Sequence, residues 1–145
     1  MVALLALAAC AGNTGGAGTT GSAGGTGGAG TGVAVTLVRS GGFTGVHDEV
    51  VIDGDGAWRL TDGAGKRRTG RLTDQQRDSL RTLAADPRLA GEAARSPMPT
   101  RCADTYSYAL TVNTMRISFV DCPAEADPPQ AARAIVNAVT QAVWT

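Results

Sequence analysis

Residues 104–119 read Asp-Thr-Tyr-Ser-Tyr-Ala-Leu-Thr-Val-Asn-Thr-Met-Arg-Ile-Ser-Phe, and the alternation in this stretch decides the fold. Successive side chains of a strand point to opposite faces. Tyr106, Tyr108, Leu110 and Val112 therefore share one face, and Met115, Ile117 and Phe119 share one on the strand that follows. Bringing both sets to the same side requires Val112 opposite Met115 and Tyr108 opposite Phe119, with the turn at Asn113-Thr114. That register sets Cys102 and Cys122 together at the open end of the hairpin.

The same reasoning extends toward the N-terminus. Val33 to Arg39 alternates and is rich in Val, a strand signature. After a glycine-rich loop, Val46, Val50 and Ile52 share a face of a second strand. Asp53-Gly54-Asp55-Gly56 then turns the chain into a third strand with Trp58 and Leu60. A common face needs Ile52 opposite Trp58, hence an odd-length loop centred on Asp55, with flanking glycines available for positive φ. Asp62-Gly63-Ala64-Gly65 turns again into the polar segment Lys66 to Leu72. This reads as an edge strand whose charges discourage pairing with other chains.

Thr73 with Gln76 three residues on is a capping-box start, and Leu80, Leu83 and Ala84 fall on one helical face. Pro87 disfavours helix at Asp86 and ends that element. Asp127, Pro128-Pro129 and Gln130 open a C-terminal helix with the stripe Ala132, Ile135, Val136, Val139, Ala142 and Val143. The expected class is α+β: an antiparallel β-sheet with two main helices, near 74–85 and 128–143, packed on one face. Residues 33–145 suffice for one domain with a single core.

Lys and Arg number 13, as do Asp and Glu, so the formal net charge is zero. With no block of basic residues to neutralise phosphates, nucleic acid is not an expected partner, and the same balance predicts no polybasic membrane patch. No apolar run approaches the ~20 residues that span a bilayer. His47 is the only histidine. Its neighbour Asp48 points to the opposite face of a strand and cannot orient it. Asp53 and Asp55 read as turn residues, since the Gly, Ala and Trp that follow supply no further Ca²⁺ ligands. The reading expects no metal site, no cofactor and no enzymatic activity.

The chain opens on a short apolar run that closes at Leu7-Ala8-Ala9-Cys10, followed by a tract of almost only Gly, Ala, Thr and Ser. This arrangement resembles the lipobox of bacterial lipoproteins, in which the signal peptide is cut before a cysteine that receives a diacylglyceryl group. The resemblance implies a signal peptide truncated to residues 1–9, with its true start upstream. It also implies lipidation at Cys10 and attachment to the extracytoplasmic face of the cell membrane. From Ala11 to Gly32 there is no periodicity, aromatic or charge, so residues 10–32 read as a disordered, flexible linker, preceding an α+β domain at 33–145. The chain has 3 cysteines. Lipidation of Cys10 leaves Cys102 and Cys122 as an even pair. An oxidising compartment would bond them, and a cytosolic one would leave two buried thiols.

Arg39-Ser40-Gly41-Gly42-Phe43-Thr44-Gly45 is the most distinctive stretch of the domain. The glycines permit unusual backbone and close approach of another chain, and a phenyl ring supplies over about 150 Å² of contact surface. Ser40, Gly41, Gly42, Phe43, Thr44 and Gly45 therefore form a candidate partner-binding loop. The alternative is that Phe43 folds back to cap the core while the glycines shape a bulge.

This segment at the end of a first strand resembles the emfourin-type inhibitors of thermolysin-like zinc metallopeptidases. The order of elements extends the likeness: a strand pair, a helix with Leu80 and Leu83, a strand from Tyr106 to Val112, its partner strand and a terminal helix. The resemblance implies a proteinaceous inhibitor that occupies a secreted or envelope peptidase's active-site cleft. The anchor, the linker and the Cys102/Cys122 pair depart from that family's pattern. The competing expectation is a non-inhibitory structural or ligand-binding envelope lipoprotein, with Phe43 in the core.

Overall fold

A computed structural model describes residues 32–95, 102–123 and 127–145. Cys10, residues 1–9 and the Gly-rich tract up to residue 31 lie outside the described residues. Along the chain run β1 (Val35–Gly41), β2 (Val46–Ile52), β3 (Ala57–Thr61), β4 (Arg67–Arg71), α1 (Asp74–Ala84), α2 (Arg88–Ala93), β5 (Tyr106–Val112), β6 (Met115–Val120) and α3 (Gln130–Val143). The molecule is α+β. Its strands form one antiparallel sheet of 6 in the order β4-β3-β2-β1-β5-β6. The first four strands meander, and after α1 and α2 the chain returns to place β5 on the free side of β1.

The registers follow from the apolar alternation. Val112 lies opposite Met115 and Tyr108 opposite Phe119, as the shared apolar face requires, and Ile52 lies opposite Trp58. At the β2–β3 turn, Gly56 takes the positive φ and the Asp55 carboxylate accepts the Ala57 N–H at 3.1 Å. Asn113 adopts φ +52° in the β5–β6 turn. Its side chain accepts from the Ala34 N–H and its own N–H donates to the Ala34 carbonyl, tying that turn to the start of β1. β1 begins at Val35 rather than Val33 and runs on to Gly41, because pairing with β2 and β5 on both sides carries the ladder into the glycines. β4 is exposed throughout and forms one sheet edge. Gly70 faces Trp58 there, and a Cβ at Gly70 would lie 2.3 Å from the indole, so only glycine admits the ring.

Val35, Leu37, Val50, Ile52, Leu60, Leu110, Val112, Ile117 and Phe119 share one sheet face by register and are all buried. They form one cluster with Leu80, Leu89, Ala132, Ile135, Val139 and Val143 from the helices. α1 starts at the capping box, with the Thr73 hydroxyl accepting from Gln76 N–H and the Gln76 side chain accepting from Thr73 N–H. α2 is an element that the apolar pattern does not announce. It is six residues long, starts where Asp86 accepts the Arg88 N–H at 2.9 Å, and buries Leu89 and Glu92. α3 begins after Pro129, which caps nothing with its side chain. The two carboxylate oxygens of Glu92 accept the Ala131 and Ala132 N–H groups at 2.9 and 2.8 Å instead.

Cys102 and Cys122 form a disulfide with Cα atoms 5.8 Å apart. It clamps the open end of the β5–β6 hairpin. On the chain-closure account, a bridge over a loop of this length stabilises the domain by roughly 3 kcal/mol.

Candidate functional site

β1 continues the core-facing alternation of Val35 and Leu37 to Arg39, which register places between Asp48 on β2 and Tyr108 on β5. A charge in that phase must be matched where it lies, since an unpaired ion in a poorly hydrated site is costly. Arg39 Nη2 donates to Asp48 Oδ2 at 2.6 Å, with the side chains only 21% and 10% exposed. The guanidinium also lies 5.2 Å from the Tyr106 ring centroid and 4.7 Å from that of Trp144, the residue capping the end of α3. Cations over aromatic faces at such distances are attracted by the ring quadrupole. One arginine thus ties β1, β2, β5 and the last turn of α3 together. Beside it, Tyr108 stacks on Phe119 at 5.2 Å. Burial first, and then the negative charge of Asp121, push the Tyr108 phenol above its ordinary value, so it stays protonated.

Directly after Arg39 the chain enters the candidate loop. Gly41, Gly42 and Gly45 have φ of +90°, +71° and +61°, the left-handed region that side chains disfavour. The Gly42 N–H donates to the Thr105 carbonyl at 2.9 Å, and the Gly45 N–H to the Gly42 carbonyl at 3.1 Å. The Tyr106 ring lies against Gly42, where an added Cβ would come within 2.6 Å of it. These contacts shape the loop from behind and direct the phenyl ring outward. Phe43 is 89% exposed, the exposed large hydrophobic among the described residues. It does not cap the core. Ser40 is half-buried opposite His47 and Ser107, and Thr44 is exposed at the tip. The Cys102–Cys122 bridge lies at this same end. Beside it the Asp121 N–H donates to the Tyr106 carbonyl, and Arg133 pairs with Asp121 at 2.6 Å.

The remaining polar residues from the sequence fall elsewhere. His47 is exposed on the outer sheet face while Asp48 faces Arg39, so the two do not act together. Asp55 is a turn residue. The Ala57 N–H, and then the Arg71 guanidinium, hold its carboxyl below the usual carboxylate range. Among the described residues, no group of three or more His, Cys, Asp or Glu side chains is placed to hold a metal ion. The Arg39–Asp48 pair and Trp144 are the parts of the site that sequence reasoning missed. The signal was present: Arg39 stands two residues after Leu37 and Asp48 two before Val50, opposite charges in the phase of core residues on adjacent strands.

No protein-family model matches the chain, and no curated protein matches it either.

Proposed function

We propose that this chain is a membrane-anchored extracytoplasmic lipoprotein whose emfourin-like domain, residues 33–145, inhibits or binds a thermolysin-like zinc metallopeptidase. In this reading the helices cover one face of the sheet, and the Ser40–Gly45 loop at the strand ends enters the enzyme's cleft with Phe43 foremost. The observation that carries the reading is the exposure of Phe43 on a loop already shaped by three glycines, the Thr105 carbonyl and the Tyr106 ring. A pre-shaped loop avoids ordering costs on binding, and exposed aromatics on such loops are favoured anchors. A structural or ligand-binding lipoprotein without a peptidase target was expected to bury this ring, so the exposure favours the inhibitor.

Lipid on Cys10 would hold the domain on a linker whose random-coil span is roughly 25 Å. Two acyl chains suffice for stable anchoring. Intact-mass analysis of membrane-extracted protein is expected to show a chain beginning at an acylated Cys10 with the Cys102–Cys122 bridge intact. An unacylated cytosolic chain would overturn the lipoprotein assignment.

The inhibitor assignment is tested by titrating the protein against a thermolysin-like peptidase. Inhibition at or below micromolar concentration is expected, weakened about 30-fold or more by Phe43→Ala, as for a central aromatic hot spot. The ring touches little of its own domain, so the variant should unfold at the parent's urea midpoint. Full peptidase activity at micromolar protein rejects the target class.

A further inference from the structure

The fold sorts charges that the sequence leaves balanced. Arg77, Arg81, Arg88, Arg95 and Arg133, on or beside the helices, are each ion-paired, with Asp74, Asp78, Asp86, Asp127 and Asp121 respectively. Arg59, Lys66, Arg67 and Arg116 are exposed and make no ion pair among the described residues. Three of these four share the sheet face opposite the core. Thr69 on β4 stands across from Arg59 on β3 and between Arg67 and Arg71 on its own strand, so three guanidiniums surround one threonine. Asp55 pairs with Arg71, and the β3–β4 turn adds Lys66 together with Asp62, whose carboxylate accepts the Lys66 N–H at 2.8 Å. Glu49, across from Thr61, is the one carboxylate that the strands present on this face, and apart from the His47 imidazole the strands place no Phe, Tyr or Trp there for base stacking.

We infer that the outer face of the β3–β4 ribbon, built on Arg59, Lys66, Arg67 and Arg71, docks on an anionic phospholipid bilayer. This departs from the expectation, drawn from overall charge, of no basic membrane patch. Zero net charge hides a cationic sheet face backed by a charge-paired helical side. The chain outside the described residues points to the same occupant. Gly32, the first described residue, lies against Gly54 in the β2–β3 turn, next to Asp55 and its partner Arg71. Gly32 therefore stands at the Arg71 end of the ribbon, between the β2–β3 turn and α1. The inference rests on the lipoprotein reading only for the supply of a nearby bilayer; the contact itself is electrostatic. Phe43 projects at the end of the β1 and β2 strands, so docking through the outer face leaves it accessible.

The test uses the full 145-residue chain without acylation, so that failure of the anchor and failure of this surface are separable. It is sedimented with vesicles of phosphatidylcholine alone or of equimolar phosphatidylcholine and phosphatidylglycerol. Binding to the anionic vesicles is expected at low salt. It should vanish near 1 M salt, where the Debye length falls to about 3 Å. Each basic residue near an anionic surface strengthens binding about fivefold, so Arg59→Ser with Arg67→Ser should weaken it about 25-fold. Arg81→Ser removes the same charge from an ion-paired helical site and should leave binding nearly unchanged. Equal binding to phosphatidylcholine, an equal loss from Arg81→Ser, or capture by polyglutamate but not by vesicles would each overturn the assignment.

Discussion

Glu92→Ala is expected to destabilise the domain by about 4 kcal/mol, read as a lower urea midpoint with an unchanged slope. The magnitude follows from what the carboxylate satisfies. A helix begins with four N–H groups that lack intrahelical partners. In α3 the residue before the helix is Pro129, which offers no side-chain acceptor, and the Ala131 and Ala132 donors belong to residues that are 2% and 0% exposed. Water is not at hand, so Glu92 reaches across from α2 and accepts both. Losing it strands two buried donors at about 1–3 kcal/mol each and removes a negative charge from the positive end of the α3 dipole. The loss bears on global unfolding, because α3 supplies Ile135, Val139 and Val143 to the single core. Glu92→Gln separates the contributions. It fills the same space with one acceptor and turns an NH₂ toward the second N–H, so about half the loss is expected. A glutamine variant as stable as the parent would show that α3 does not depend on both bonds.

What the sequence disclosed and what it withheld divide along one physical line. Patterns set by neighbours along the chain were legible. The alternation in 104–119 fixes its hairpin register, since a one-residue slip would turn Leu110 and Ile117 to solvent. The capping box at Thr73 and Gln76 is a local exchange of two hydrogen bonds, and it forms. Features set by partners far along the chain were not legible. α2 is too short to show a helical period, and its key residue is a buried glutamate, a type seldom found in cores. Glu92 makes sense only beside Ala131, some forty positions later. The pairing of β1 with β5 is likewise non-local, and it carries Thr105 and Tyr106 to the back of the glycine loop. Whether Phe43 turned in or out was open in the sequence for that reason. The basic face went unseen because Arg59 and Arg67 become neighbours only when β3 pairs with β4.

Asp48→Ala is expected to destabilise the domain by about 3–4 kcal/mol and, under the proposed inhibitor reading, to weaken peptidase inhibition further than the unfolded fraction explains. Removing one partner of a largely buried ion pair strands the other charge, which is worse than having neither. Arg39 is poorly placed to compensate, since its Nε already has no hydrogen-bond partner and its guanidinium is held between Tyr106 and Trp144. To regain water it must leave the Tyr106 ring, and that ring is the surface on which Gly42 rests. The loop then loses its backing and Phe43 its fixed direction, so binding bears the ordering cost that the native loop avoids. Replacing the pair together, Arg39→Met with Asp48→Leu, distinguishes charge from shape. Apolar residues of similar volume restore most of the stability because no ion is left stranded. If methionine also keeps the Tyr106 ring seated on Gly42, inhibition returns with stability, and Arg39 serves the loop as a packed stem. If stability returns while inhibition stays weak, the guanidinium between the two rings is what holds the loop in its binding shape. Should Asp48→Ala leave both the urea midpoint and the inhibition constant unchanged, the ion pair supports neither the fold nor the loop.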